Sequence, residues 1–402
     1  MLRMASQPLV AATRQKITLA LWQTLLHHET AQRGPLAGET MQRSDLNSFI
    51  LVALAGLPQC APPNSAQTSH TAAATAATAP ATAARWGKQT PLAPTAKLAR
   101  TFSTTVDNSR IFAFGSGPQQ LGVRRDQEAA PEAPMAIAIA PDGRLGILDQ
   151  VNQRLHILAA PALAPGNADD VIALDRATFQ DLAWQRGDRI WLLDRLGAQP
   201  AVVLIDLHGA VIREVPLAES MNPGGITGLF WREDGLYLEH EHADLQRIAD
   251  GEGLVAAEKP ATWGRFAGDA RLRARMLDPQ LAVIEGKNAD ATPRFATRVA
   301  FGLPVLAFRA LLSDAVGRFV LVVDLAASAP FDPDKVAQAG LIAVLLGADG
   351  TELARFDLPV TGAVDEQFAP YALDDHGHLF ALLPRKGDVQ LLRVDLDAGG
   401  EK

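Results

Sequence analysis

Three stretches of this chain repeat one pattern at a fixed interval, and nothing else constrains its fold as strongly. Residues 137–158 read IAIAPDGRLGILDQVNQRLHIL: an apolar strand, a Pro-Asp-Gly turn, a second strand ending in Asp149, and a third strand. The pattern returns at 181–206 (DLAWQRGDRIWLLDRLGAQPAVVLID) and at 226–250 (ITGLFWREDGLYLEHEHADLQRIAD). Asp149, Asp194 and Glu239 close the second strand of their units, each 45 residues from the next. A period of this length, built from short strands, predicts the blades of a β-propeller, where each unit buries its faces only by stacking on its neighbours.

From Val106 the chain divides into six such units, at 134–175, 178–217, 224–261, 265–301, 303–359 and 368–396. The second-strand cores LGIL, IWLL, LYL, FVLVV and LFALL are almost continuously apolar, as strands covered on both faces are. Gly143, Gly187, Gly235, Gly317 and Gly377 fall between first and second strands, where tight hairpins need positive φ. The fourth unit is the least regular. Its second strand is read at 281–286, with Glu285 in the place of the strand-end acids. The fourth strand of the third unit is read in GLVAAE, 253–258, and an insertion at 328–338 is placed in a loop. The sixth unit lacks a fourth strand. Arg110–Phe114 is expected to supply it and close the ring, which leaves only short blade edges exposed.

The run PDGRLGILDQVNQRLHIL resembles an NHL repeat, through Pro141, Asp142, Gly143, Asp149, Asn152 and Arg154. The resemblance implies an all-β, six-bladed propeller of four-stranded antiparallel blades over residues 105–397, closed by the N-terminal strand. Similar propellers occur among gluconolactonase-like hydrolases, so the likeness leaves catalysis open.

Residues 1–60 read as a helical or disordered extension. Phe49–Leu57 is a nine-residue apolar run, too short for a membrane-spanning helix but suited to the core of an export signal. It ends in Leu57-Pro58-Gln59-Cys60, similar to a bacterial lipoprotein signal with Cys60 as the lipidated residue. Met41, just upstream, reads as an alternative start. Residues 61–104 are rich in Ala, Thr and Pro, with no periodicity that could bury a face, and are expected to form a disordered linker. Together these features point to an exported, periplasmic or envelope-anchored protein, touching the membrane only through that anchor. The alternative is a cytoplasmic chain whose apolar run is a short buried helix.

A net charge of -8, with no run of Lys and Arg, argues against a nucleic-acid partner. The single cysteine, Cys60, lies outside the repeats, so the propeller has no disulfide and no Cys-ligated metal.

The sharpest chemical cluster is Glu239-His240-Glu241-His242. On a strand, Glu239 and Glu241 would share one face and His240 and His242 the other, and two such histidines reach one metal if another blade adds a ligand. The bland reading is the polar end of a strand. The strand-end acids Asp149, Asp194, Glu239 and Asp324 are expected to accept backbone N–H bonds at turns. A lactonase-like hydrolase would instead gather Asp181, Asn222, Glu241, His242 and Asp374 at the channel around a divalent cation, Ca or Zn. Trp184, Trp191, Trp231 and Phe230 are expected mainly in the core, and Arg271, Arg273, Arg275 and Lys287 on a solvated surface. With no catalytic motif in the chain, the leading expectation is a non-catalytic, monomeric binding or scaffolding propeller with no cofactor, docking a protein partner or other ligand on one face. The metal-dependent hydrolase is the alternative.

Overall fold

A computed structural model describes residues 101–103, 109–125, 131–160, 163, 169–252, 261–267, 270–327, 338–360 and 366–397. The export segment, Met41, Cys60, the stretch 253–258 and most of the 328–338 insertion lie outside the described residues. Six antiparallel sheets follow one another in chain order, each with its first strand innermost. Blade 1 holds Ala136–Ile139, Leu145–Asp149, Arg154–Leu158 and Asp169–Ala173; blade 2 holds Asp181–Arg186, Arg189–Asp194, Ala201–Asp206 and Val211–Pro216. Blade 3 runs from Ile226–Arg232 through Gly235–His240 and Asp244–Asp250 to Thr262–Trp263. Blade 4 comprises Arg265–Ala267, Ala270–Asp278, Leu281–Asn288 and Pro293–Ala300. Blade 5 comprises Val305–Ser313, Phe319–Ala326, Gln338–Leu346 and Glu352–Leu358. Blade 6 has Tyr371–Leu373, His378–Pro384 and Asp388–Asp395, and Ser109–Ala113 is its fourth strand, antiparallel to Asp388–Asp395. The expected six-bladed ring, closed by the N-terminal strand, is therefore what forms.

Three details differ from the sequence reading. Leu281–Asn288 is the third strand of blade 4, because Ala270–Asp278 already pairs with it as the second. Glu285 consequently faces Arg275 across that pair and is no strand-end acid. Thr262–Trp263 closes blade 3 against Asp244–Leu245. Thr101–Ser103, expected within the linker, adds a parallel fifth strand beside Arg355–Asp357 of blade 5.

The second strands of blades 1, 2, 3, 5 and 6 are buried along almost their whole length, as their apolar runs required, whereas Ala270–Asp278 of blade 4 is buried only at Ala270 and Leu272. The turns behave as expected at Gly143 and Gly377, which sit in the left-handed region (φ 83° and 78°). Blade contacts are made by five aliphatic and aromatic clusters, between blades 1 and 2, 2 and 3, 4 and 5, 5 and 6, and 6 and 1. Among the described residues no such cluster joins blades 3 and 4. There the Phe266 ring lies under the guanidinium groups of Arg232 (4.1 Å) and Arg271 (4.5 Å), with Tyr237 edge-on at 5.2 Å, and Lys287 lies over Trp263 at 4.1 Å. Cation–π contacts of this kind contribute about 0.5–2 kcal/mol each. Arg271 and Lys287 are thus part of a polar seam instead of a solvated surface.

Candidate functional site

Each innermost strand runs from what is here called the upper face, which carries the blade-to-blade connections and the second-to-third turns, to the lower face, which carries the first-to-second turns. The two faces use their polar residues differently.

On the upper side the strand-end acids are buried and engaged. Asp149 accepts from Gly122 N (3.0 Å), Asn152 Nδ2 (2.8 Å) and Arg154 Nε (3.0 Å). Asn152 also donates to Gly115 O, and Arg154 to Ser116 O and Gln120 O, so the residues that carry the NHL resemblance clamp the segment following the closing strand. Burial opposes ionisation of Asp149, but His156, Asn152 and Arg154 outweigh it and hold the carboxyl below its usual range. Asp194 caps its turn through Gly197 N (2.8 Å) and pairs with Arg176 (3.3 Å). Glu239 takes both Nε and Nη2 of Arg265, the first residue of blade 4, and Asp324 takes Arg309 and Gln338. The expected backbone capping holds for Asp149 and Asp194, while Glu239 and Asp324 use side-chain donors. Burial works against the Glu239 carboxylate, yet the charge and hydrogen bonds of Arg265 bring it down to about 2. Arg265 also donates to Leu311 O of blade 5, so one side chain ties three blades.

The metal candidates separate. Glu239 is fully buried and committed to Arg265. The strand ends at His240, and Glu241 and His242 turn through positive φ (51° and 54°) into an exposed hairpin, which breaks the expected alternation. His242 Nδ1 stands 3.6 Å from Glu239 Oε2. Among the described residues no three His, Cys, Asp or Glu side chains gather as a metal site. Of the hydrolase set, Asp374 lies on the lower face, remote from the upper-face Asn222, Glu241 and His242. Asp181 is buried with its oxygens on Leu182 N and Leu229 N, both at 2.8 Å. Burial lifts its carboxyl to about 7, with the Glu239 charge adding to the rise and the two N–H bonds opposing it.

The lower face opens into a cavity of about 950 Å³ at the channel mouth, walled by residues of blades 1, 2, 3 and 6. Its volume suits a drug-sized molecule. A second cavity of about 220 Å³ lies among blades 3, 4, 5 and 6, and Trp231, Arg232 and Leu373 are shared by both. Trp184 and Trp191 are core residues as expected (5% and 0% exposed), Trp184 also reaching the cavity wall, and the half-buried Trp231 lines the cavity. His378 Nδ1 is fixed by Asp374 Oδ2 at 2.7 Å. Gln185 lies where the pairing of the first two strands of blade 2 slips, between Trp184 and Arg186, a bulge of the kind that re-aims side chains beside functional sites. Periodicity cannot reveal such a residue, and sequence reasoning missed both Gln185 and Arg393.

No protein-family model matches the chain, and no curated protein matches it. Among solved structures it is similar to the calcium-binding protein regucalcin of Agrobacterium tumefaciens (14% identity, TM-score 0.40, covering 74% of this chain and 97% of that one). It is also similar to virginiamycin B lyase of Staphylococcus aureus (10%, TM-score 0.40, 68% and 87%) and to hydrazine synthase of Kuenenia stuttgartiensis (13%, TM-score 0.40, 64% and 76%). Likenesses this distant transfer no function.

Proposed function

We propose that this propeller is a non-catalytic binding or scaffolding module that docks a protein or other ligand at the lower-face mouth of the channel. The cavity of about 950 Å³ is the observation that carries the reading. Its walls combine apolar and aromatic surface from Ile139, Trp184, Trp231 and Phe380 with polar and charged side chains, and ligand sites are concave clefts in which such polar groups orient the occupant. The apolar run at 49–57 and the Ala/Thr/Pro-rich stretch after it support an exported chain tethered at the cell envelope, with Cys60 as the lipidated residue. The test is affinity capture from the envelope fraction with the tagged full-length chain. A species enriched by the parent chain and by Glu219→Ala on the upper face, and lost with Trp231→Ala, supports the proposal. Enrichment indifferent to Trp231→Ala contradicts it.

The hydrolase alternative draws on Asp181, whose buried carboxyl lies near neutrality although it lines none of the described cavities and accepts from Leu182 N and Leu229 N. A stoichiometric, chelator-sensitive Ca or Zn in the purified full chain, with lactone hydrolysis lost in Asp181→Asn, would favour it.

A further inference from the structure

Seven side chains among the described residues carry a buried polar atom without a hydrogen-bond partner: Gln150, His156, Gln185, Trp191, His240, Arg271 and Arg393. Two of them, Gln185 and Arg393, line the lower-face cavity; the other five do not. A buried polar group left unpaired costs about 1–3 kcal/mol, so a pair of them in one cavity wall calls for a reason. Gln185 is only 6% exposed, and its amide turns either oxygen or nitrogen towards a partner by rotating about its last bond.

Arg393 is the unpaired cation of the cavity. Asp142 is held by Arg144, Arg232 lies 3.8 Å from Asp234, and Asp374 is hydrogen-bonded to His376 N, His378 N and the His378 ring. Glu233 and Asp375 are exposed at the rim, where solvent screens them. Arg393 comes from the third strand of blade 6, opposite Phe380; its Nε is buried without a hydrogen bond, and it has no ion pair among the described residues. A guanidinium in a half-enclosed site is best satisfied by a carboxylate, through charge-assisted and bidentate hydrogen bonds. Trp231 adds a half-buried aromatic surface on which a ring can lie.

We infer that the lower-face cavity binds a small cyclic carboxylic acid bearing a hydroxyl or amide group. Its carboxylate pairs with Arg393, its polar group meets the Gln185 amide, and its ring packs against Trp231. This rests on the proposed function in placing the site at the lower face, and it adds the ligand's chemistry. Aromatic acids and sugar acids both satisfy it, and the test separates them.

Full-length protein is titrated with 4-hydroxybenzoate, with glucuronate, and with 4-hydroxybenzyl alcohol, which lacks the carboxylate, following binding by ligand-observed NMR. Saturable binding of one acid is expected, with the alcohol and the Arg393→Met variant each weaker by roughly tenfold or more, and Glu219→Ala unchanged. Binding of 4-hydroxybenzoate identifies an aromatic acid, and binding of glucuronate a sugar acid. Failure of both acids to saturate, or binding unaltered in Arg393→Met, overturns the inference. If both acids fail while Trp231→Ala still abolishes partner capture, the docking face stands and the ligand chemistry falls. If an acid binds while capture is indifferent to Trp231→Ala, the reverse holds.

Discussion

The strand-end acids of the upper face find their partners within the chain, whereas two polar side chains in the wall of the lower-face cavity do not. Asp149, Asp194, Glu239 and Asp324 each end in a set of donors supplied by the chain itself, and those donors reach into neighbouring loops or blades. On the lower face, Gln185 and Arg393 sit in a cavity wall with buried atoms unpaired. The first arrangement fastens a ring; the second leaves bonding capacity for something outside it. His156 shows why the cavity matters to this distinction. Its ring nitrogens also lack a close hydrogen bond, Nε2 standing 3.7 Å from Asp149 Oδ2, but it is completely enclosed and lines no described cavity, so it has no route to a ligand.

The largest expected effect breaks the upper face. Arg265→Met leaves the Glu239 carboxylate buried without its cation, with only the Thr227 hydroxyl and the nearby His242 ring, and should cost about 3 kcal/mol in urea unfolding. Replacing both partners, with Glu239→Leu and Arg265→Met together, should recover most of that loss, because the destabilisation comes from the orphaned charge. If the double variant is as unstable as the single one, the pair is not the fastener described here. Asp194→Ala should cost less, about 1–3 kcal/mol, through the uncapped Gly197 N–H.

Asp181 sharpens the comparison through pH. Its folded-state carboxyl titrates at about 7, above its value in the unfolded chain, so the folded state holds a proton that the unfolded state has released. Stability should therefore fall as pH rises from the ordinary carboxylate range to about 7. Glu239 acts in the opposite sense and lower down, its contribution fading as pH falls towards 2. Asp181→Asn should flatten the upper part of the profile; an unchanged slope would assign the dependence to another group. The smallest effect belongs to the lower face. Arg393→Met should leave stability equal or raise it by up to about 1 kcal/mol, since it removes a buried unpaired Nε and breaks no ion pair among the described residues.

Much of the ring was legible before the structure. The 45-residue spacing of Asp149, Asp194 and Glu239 gave the blades, and the missing fourth strand of blade 6 pointed to Ser109–Ala113. Blade 4 misled because its first strand, Arg265–Ala267, is only three residues long, which displaced the reading of Leu281–Asn288 by one strand. The charge partners were less legible. Arg265 belongs to the blade after Glu239, and no local spacing announces a contact made across a seam. The cavity residues were invisible for a related reason. Gln185 is set by a bulge, and Arg393 by the closure of blade 6 against blade 1, both products of the assembled ring.

The central claim is that the lower-face polar groups are kept open for a ligand, and Gln185→Met tests it most directly. This substitution keeps the side chain's size while removing the unpaired amide. Urea unfolding of the full chain should give equal or greater stability, by up to about 1 kcal/mol, while binding of the acid probe and capture of the partner both weaken. Lower stability with binding intact would show that the Gln185 amide serves the fold, and would contradict the claim.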